Sequence, residues 1–179
     1  MGQPAARPLM TVRARRRLRP FGAVALALWL ALPASAHVFG QSAGAAARAG
    51  TYDLTAAERL GGHTLARHVG KSDRELGDRL QREPRISAAS TYTDRDTAER
   101  VIAATLARSA ATVGTWLARS GSKPNLVLDY AGTPGQIIGR SLRRHDRLPL
   151  DCTDAVVVLR WHARERYYVL TSYPERRRP

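Results

Sequence analysis

Apolar residues change their spacing near Gly121, and this change constrains the fold more than any other feature of the chain. Before that point they recur every three or four residues, which is typical of amphipathic helices. After it they alternate with polar residues, which is typical of half-buried strands. Helices first and antiparallel strands second predict an α+β domain.

Local signals place the first two predicted helices. The first spans residues 54–69, although the glycine pair at 61–62 weakens its middle. The second starts at Ser72, because a serine followed three residues later by Glu75 forms a capping box. Pro84 ends this helix, since proline disfavours a continuing helical backbone.

The remaining elements follow from the same patterns. A third helix starts at Thr93, and near Ser109 it either breaks or continues. One extended segment, residues 86–92, is predicted before this helix. Beyond the helix, residues rich in β-branched and aromatic side chains predict strands over 126–130, 137–142, 155–161 and 167–173, and the last two form a hairpin.

The chain starts with the pattern of a secretory signal peptide. Residues 1–36 combine six arginines, no acidic residue, an apolar run and a closing small-residue cleavage site. We expect cleavage near Ala36, an exported protein in the periplasm or medium, and no stable membrane association afterwards. The alternative is an uncleaved anchor. Residues 37–52 then predict a flexible Ala- and Gly-rich tether, 53–175 one domain and 176–179 a basic tail.

Positive charge remains after the leader is removed. The chain has 29 Lys and Arg against 15 Asp and Glu, and loss of the six leader arginines leaves 23 against 15, a net of +8. Such a surplus favours a polyanionic partner such as RNA. The alternative is a solvated surface on which the charge has no specific role.

Disulfide and metal chemistry are poorly supported. Cys152 is the only cysteine, so the chain forms no internal disulfide, and we expect a buried, unreactive thiol. His63 and His68 are five residues apart, which separates them around a helix. We therefore expect no metal site and no cofactor.

Five residues carry groups suited to metal-free cleavage of RNA. His68 can move a proton near neutral pH, while Arg79 and Lys71 can offset charge on a phosphate. Thr171 and Tyr173 are two residues apart, so their side chains leave one face of a strand. Such a face can contact a phosphate or a base.

Each of these residues also has a structural interpretation. His68 lies on an apolar helix face and would serve as a hydrogen-bonded core residue. Arg79 would pair with Glu75 on the surface, and Lys71 would interact with a helix C-terminus. The threonine and tyrosine are common strand residues.

Four segments in order resemble the bacterial ribonuclease A-like domain at the C-termini of contact-dependent growth inhibition toxins, the CdiA proteins. They are residues 62–80, 86–91, 139–142 and 169–174, so the resemblance covers about residues 55–174. It implies helices packed on a curved antiparallel sheet, a ribonuclease A-like fold without disulfides, and RNA cleavage without a metal.

The resemblance also implies an active site. By position its residues are His68, Arg79, Thr171 and Tyr173, and we add Lys71 and Ser72 as substrate-binding residues. The expected reaction is attack of the 2′-hydroxyl of single-stranded RNA on its phosphate, with the histidine as general acid or base and the arginine stabilising the phosphorane. A second proton transfer is needed, and Tyr173, Lys71 and His63 all remain open for it.

The resemblance implies a secreted, toxin-like endoribonuclease with RNA as substrate and a cognate immunity protein as inhibitor. We expect a monomer. The alternative is an exported basic protein that binds nucleic acid or another polyanion without cutting it, and a third reading is a structural protein of the cell envelope. Scavenging of extracellular RNA is an alternative to the toxin role.

Overall fold

The computed structural model describes residues 51–176, all of which belong to one unit, Gly40–Pro179. The predicted signal peptide, most of the predicted tether and residues 177–179 of the tail lie outside the described residues. Tyr52, which the prediction placed in the tether, is 1 % exposed in the core. The folded part therefore begins before residue 53.

Helices form the first part of the described chain. They are α1 (Leu54–Arg59), α2 (Thr64–His68), α3 (Asp73–Arg82), α4 (Arg95–Arg108) and α5 (Ala110–Ala118). The capping box at the start of α3 is confirmed: Glu75 N–H donates to Ser72 Oγ at 3.3 Å, and Ser72 N–H donates to Glu75 Oε2 at 2.7 Å.

The prediction of one helix over residues 54–69 is wrong. Gly61 has a φ of +103°, and Gly62 N–H turns back to donate to the Ala57 carbonyl at 3.0 Å. A Cβ at Gly62 would lie 2.7 Å from the Val169 carbonyl oxygen. The glycine pair thus ends α1 and allows the next turn of chain to approach the last strand closely.

The helix predicted from Thr93 starts two residues later, because the Asp94 carboxylate accepts the Thr97 N–H at 2.7 Å as an N-cap. The break near Ser109 is real, since α4 and α5 meet at 70°. Within the described residues no single helix is long and apolar enough to cross a membrane, although these two together reach that length and composition.

Within residues 51–176, six strands form two antiparallel three-stranded sheets rather than one. The first sheet has the order β1-β3-β4, from β1 (Ala88–Tyr92), β3 (Gly139–Arg143) and β4 (Leu150–Cys152). The second has the order β2-β5-β6, from β2 (Leu126–Tyr130), β5 (Asp154–His162) and β6 (Arg166–Glu175). The α+β class is confirmed, and β4 is the strand that the sequence did not predict.

The predicted C-terminal hairpin is confirmed as β5 and β6. Val158 faces Thr171 and Val156 faces Tyr173 across the pair. The register shifts between Val158 and Leu159, which is a β-bulge. A bulge changes the direction of neighbouring side chains, and this one lies beside Thr171.

Two apolar clusters hold the elements together. The main core includes fully buried Ile102 of α4 and Val157 of β5, and the smaller one joins Leu76 of α3 to Leu142 of β3. Cys152 is buried, which raises the pKa of its thiol to about 11 and makes the thiolate scarce at neutral pH.

Candidate active site

A cleft of about 600 Å³ lies where α2 and α3 meet β1, β3 and β6. His68, Arg79, Thr171 and Tyr173 all line it. These four residues span more than a hundred positions of the sequence, and the fold brings them to one concave surface. The structure therefore brings the four expected catalytic residues together, and their catalytic roles stay a prediction.

Hydrogen bonds fix α2 against the last strand. His63 N–H donates to the Leu170 carbonyl at 3.0 Å, and Ser172 N–H donates to Thr64 Oγ1 at 2.9 Å. The two contacts involve the residues of β6 on either side of Thr171. They hold the start of α2 beside the strand face that carries the threonine and the tyrosine.

A second set of contacts joins the two sheets at the cleft. The Tyr92 hydroxyl on β1 lies 2.6 Å from Ser172 Oγ on β6, and both residues are buried. Val69, just after α2, forms a parallel bridge to the same tyrosine. The cleft thus opens along a seam between the sheets, with α2 fixed to both of them.

His68 is 7 % exposed, and its Nδ1 lies 3.0 Å from the Ser90 carbonyl oxygen. A carbonyl only accepts, so the neutral ring carries its proton on Nδ1 and keeps a lone pair on Nε2. Burial lowers the pKa of His68 to about 3; the Ser90 carbonyl opposes this shift, and the Arg79 charge adds to it. His68 is thus a buried, hydrogen-bonded residue, as the structural interpretation expected, and it also lines the cleft.

Arg79 points from α3 into the cleft with its side chain 15 % exposed. Nη1 donates to the Arg67 carbonyl at 3.3 Å, and Nε lies 3.4 Å from a Glu83 carboxylate oxygen. Glu75, the partner that the surface interpretation required, caps the helix instead. Within residues 51–176, Nε is buried and has no hydrogen-bond acceptor, so the guanidinium retains donor capacity.

Thr171 and Tyr173 lie on the same face of β6. The Thr171 hydroxyl oxygen is buried and has no hydrogen-bond partner in the described part of the chain. The Tyr173 ring lies 5.4 Å from the His68 ring, centroid to centroid. Burial raises the pKa of Tyr173, and the Glu175 and Asp129 carboxylates add to the effect. The phenol is therefore protonated at neutral pH and able to donate.

Lys71 and Ser72 are not brought to the cleft. Lys71 N–H donates to Thr91 Oγ1 at 2.9 Å and its carbonyl accepts from Arg140 Nη2 at 3.0 Å, but neither residue lines the cavity. Ser72 is exposed and its hydroxyl serves the capping box. The cap occupies the Ser72 hydroxyl, and the substrate-binding role of this pair stays a prediction.

His63 lines the cleft as a second imidazole. Its pKa is lowered by partial burial and then by the nearby Arg67 and Arg79 charges. Of the three groups left open for the second proton transfer, His63 and Tyr173 reach the cleft and Lys71 does not.

Sequence reasoning missed three arginines that also line the cleft: Arg85, Arg143 and Arg176, the last of which was assigned to the basic tail. Arg143 is two residues from Ser141 on β3, so strand alternation could have placed it on the same face once the strand was known to border the site. Arg85 follows a proline in a loop, where no sequence pattern points to the cleft.

The cleft is cationic. Four arginines line it, against one acidic residue, Glu175. Residues 51–176 contain no group of three or more His, Cys, Asp or Glu side chains placed to hold a metal. Charge of this sign suits a phosphate-bearing ligand.

Comparisons with known proteins agree with this geometry. The family model described as the bacterial CdiA-CT RNAse A domain matches residues 62–174, which is more than half of the chain. A crystal structure of a CdiA-CT/CdiI complex from Y. kristensenii 33638 is similar, with 30 % sequence identity and a TM-score of 0.58 over 64 % of this chain and all of that one. A search of curated proteins gives no match.

Two of the four resembling segments, at 86–91 and 139–142, lie in the first sheet, and the other two border the cleft from α2 and β6. The matched region runs from Gly62, which packs on β6, to Pro174 on β6 itself, so it contains the four cleft residues discussed above. The α+β domain with a single cysteine is a ribonuclease A-like fold, and ribonuclease activity of the toxin type follows at this general level. The chain belongs to the bacterial CdiA-CT RNase A domain family.

Proposed function

We propose that this protein is a metal-independent endoribonuclease that cleaves single-stranded RNA through its own 2′-hydroxyl. The observation that carries the proposal is the shared cleft of His68, Arg79, Thr171 and Tyr173. A new bond forms between O2′ and phosphorus, and the bond from phosphorus to O5′ breaks. The products are a 2′,3′-cyclic phosphate and a free 5′-hydroxyl.

His68 accepts the proton of the 2′-hydroxyl on Nε2, because Nδ1 is engaged with Ser90. The low pKa of His68 results chiefly from burial, and the positive charge of Arg79 lowers it further. An anionic phosphodiester beside the ring raises that pKa, since it stabilises the imidazolium. Substrate binding thus moves the base toward the range in which proton transfer is efficient.

Arg79 and Thr171 hold the phosphorane. The arginine keeps its charge at every step and has an unused buried N–H. The Thr171 hydroxyl, also without a partner among the described residues, donates to a non-bridging oxygen. A charged donor such as Arg79, aimed at charge that develops in the transition state, contributes on the order of a hundred- to a thousandfold in rate. A neutral hydroxyl such as that of Thr171 contributes about tenfold.

The leaving O5′ takes its proton from Tyr173 or His63, the two candidate proton donors that line the cleft. Tyr173→Phe and His63→Gln separate them. Loss of the true donor is rescued by an activated leaving group such as a nitrophenolate, which needs no proton. Loss of the other residue shows no such selective rescue.

The test of the proposed function is digestion of single-stranded RNA in EDTA by the mature protein beside His68→Ala. We expect the wild type to cut and the variant to lose roughly a hundred- to ten-thousandfold in kcat/KM. His145→Ala is the matched control, because His145 is exposed and lies outside the cleft. Full activity in purified His68→Ala would reject the assignment.

One observation favours a second function, which is binding of a polyanion without cleavage. A pKa of about 3 makes His68 a weak base when no substrate is bound. The arginines that line the cleft would still bind a phosphate chain. This function predicts salt-sensitive RNA binding and RNA that remains intact after long incubation. Cleavage that disappears with His68→Ala excludes it.

We also propose export through the N-terminal leader, with cleavage near Ala36, action as a monomer, and inhibition by a cognate immunity protein. The similar structure is a CdiA-CT/CdiI complex, which supports a partner of that kind. Co-expression with a candidate immunity protein of the CdiI type tests the partner. Stable complex formation and loss of RNA cleavage are expected, and free activity in the presence of that protein would oppose it.

A further inference from the structure

Arg85 and Arg143 are cleft arginines that the proposed reaction does not use. Arg143 Nη2 donates to the Arg176 carbonyl at 2.9 Å, and within residues 51–176 it has no carboxylate at ion-pair distance. Arg85 is exposed and forms no hydrogen bond or ion pair in the same part of the chain. Both guanidinium groups are therefore free to bind an anion.

The strand register sets the separation between Arg143 and His68. Ser90, whose carbonyl holds the His68 ring, is paired with Ser141, and Ala88 is paired with Arg143. Two residues along a strand span about 7 Å. This distance is comparable with the step between neighbouring phosphates on an extended RNA strand.

The same register shows that these residues share one surface. Ser141 and Arg143 alternate with Leu142, which is buried in the smaller apolar cluster on the other face. Ala88 and Ser90 likewise line the cleft. One face of the first sheet thus forms a floor that leads from His68 to Arg143.

The other charges near this end of the cleft are accounted for. Arg176 lies 3.8 Å from the Asp146 carboxylate, so its charge is partly offset. Glu175 is the acidic residue of the lining, and it is exposed at the end of β6. Arg85 and Arg143 remain as the cations without a carboxylate partner.

We infer that Arg85 and Arg143 form a second phosphate subsite, which binds the phosphodiester next to the one that is cleaved. This inference rests on the proposed ribonuclease function. It makes the preferred substrate an oligonucleotide with at least two phosphates. A dinucleoside monophosphate fills the cleavage position and leaves the subsite empty.

The first experiment compares a dinucleoside monophosphate with a hexanucleotide of single-stranded RNA. In the double variant Arg85→Gln and Arg143→Gln, we expect kcat/KM for the hexanucleotide to fall roughly ten- to a hundredfold. For the dinucleoside monophosphate it stays unchanged. Equal loss on both substrates, or no loss on either, would overturn the subsite.

The matched control is the double variant Arg74→Gln and Arg119→Gln, which removes the same charge from exposed positions outside the cleft. If the Arg143 variant unfolds, Arg85→Gln alone serves the test, because Arg85 is an exposed loop residue. This single variant should lose about tenfold on the hexanucleotide only. Thermal unfolding confirms that each protein is folded.

The second experiment measures binding without cleavage. A DNA hexanucleotide lacks the 2′-hydroxyl, so its affinity is measured against salt concentration. Each lost phosphate contact reduces the slope of log K against log salt by about 0.7, so the double variant, which loses one phosphate contact, should have a slope lower by about 0.7. An unchanged slope contradicts the subsite, whereas absence of RNA cleavage by the wild type contradicts only the proposed ribonuclease.

Discussion

The core and the cleft treat buried polar groups differently. In the core, Val169 N–H donates to the Tyr52 hydroxyl at 3.0 Å, and Ser172 N–H donates to the Thr64 hydroxyl at 2.9 Å. In the cleft, Arg79 Nε and Thr171 Oγ1 are buried and have no hydrogen-bond partner in residues 51–176, although Arg79 Nε lies 3.4 Å from a Glu83 carboxylate oxygen. A buried unpaired group costs about 1–3 kcal/mol, so the cleft gives up stability that a ligand can restore.

The contrast extends to charge. The main core is built from apolar side chains, whereas the cleft gathers arginines around a neutral histidine. Burial and positive neighbours both disfavour a positive charge on that ring. A phosphodiester relieves these conditions together, since it supplies acceptors and negative charge. The cleft is therefore organised to bind an anion. Four predictions test this conclusion.

The largest expected effect is on catalysis. Arg79→Gln should reduce kcat by on the order of a hundred- to a thousandfold, because a fixed cation no longer opposes the charge on the phosphorane. The free energy of unfolding should fall by only about 1 kcal/mol, because the arginine's contacts with the Arg67 carbonyl and the Glu83 carboxylate are long, at 3.3 and 3.4 Å. Rate assays and urea unfolding check both. Arg119→Gln is the exposed control, and a normal rate in the Arg79 variant would place the transition state elsewhere.

The next effect concerns pH. The pKa of His68 is about 3 in the folded protein against 6.5 for the free side chain. Between these values the unfolded chain binds more protons, so the free energy of unfolding falls as pH drops from 6.5 toward 3. At pH 4 this loss is roughly 3 kcal/mol.

His68→Gln does not titrate, so it should lose less stability than the wild type between pH 7 and pH 4. Urea unfolding at both pH values measures the difference. His145→Gln, which changes an exposed histidine, should behave like the wild type. Identical pH dependence in the wild type and His68→Gln would show that the ring is not held neutral by its surroundings.

A smaller effect separates two threonines. Thr64→Val leaves the buried Ser172 N–H without an acceptor and should cost about 1–3 kcal/mol of stability. Thr171→Val removes a hydroxyl that is already unpaired, so stability should hold or rise while RNA cleavage falls about tenfold. Thermal unfolding and rate assays give both values. A stability loss in Thr171→Val with none in Thr64→Val would contradict the distinction between paired polar groups in the core and unpaired ones in the cleft.

The smallest effect is at Ser72. Ser72→Ala removes an N-cap and should cost about 0.5–2 kcal/mol of stability. RNA cleavage per folded molecule should not change, because the residue lies outside the cleft. A fall in kcat/KM at full folding would return Ser72 to the substrate-binding role that the sequence suggested.

Local signals in the sequence predicted local structure well. The Ser72 and Glu75 capping box lies within one helical turn, and the β5–β6 hairpin joins neighbouring strands. Both depend on residues close in sequence, so pattern reasoning is sufficient for them. The four cleft residues were identified through the family resemblance, which carries long-range information that periodicity lacks.

Features set by distant contacts were missed. The break between α1 and α2 depends on Gly62 packing against the Val169 carbonyl, more than a hundred residues away. Strand β4 has only three residues and forms through pairing with β3. Tyr52 looked like part of a tether because its partner, the Val169 N–H, is equally remote. Arg143 lies in the cleft because β3 pairs with β1, and this pairing joins residues about fifty positions apart.

The most direct test of the central claim uses a DNA oligonucleotide that carries one ribonucleotide, incubated with the mature protein in EDTA. An anion-binding cleft that activates a neighbouring 2′-hydroxyl should cut only after that ribonucleotide and leave a 2′,3′-cyclic phosphate and a 5′-hydroxyl. Cutting at deoxynucleotides, or products with 5′-phosphate ends, would contradict the account.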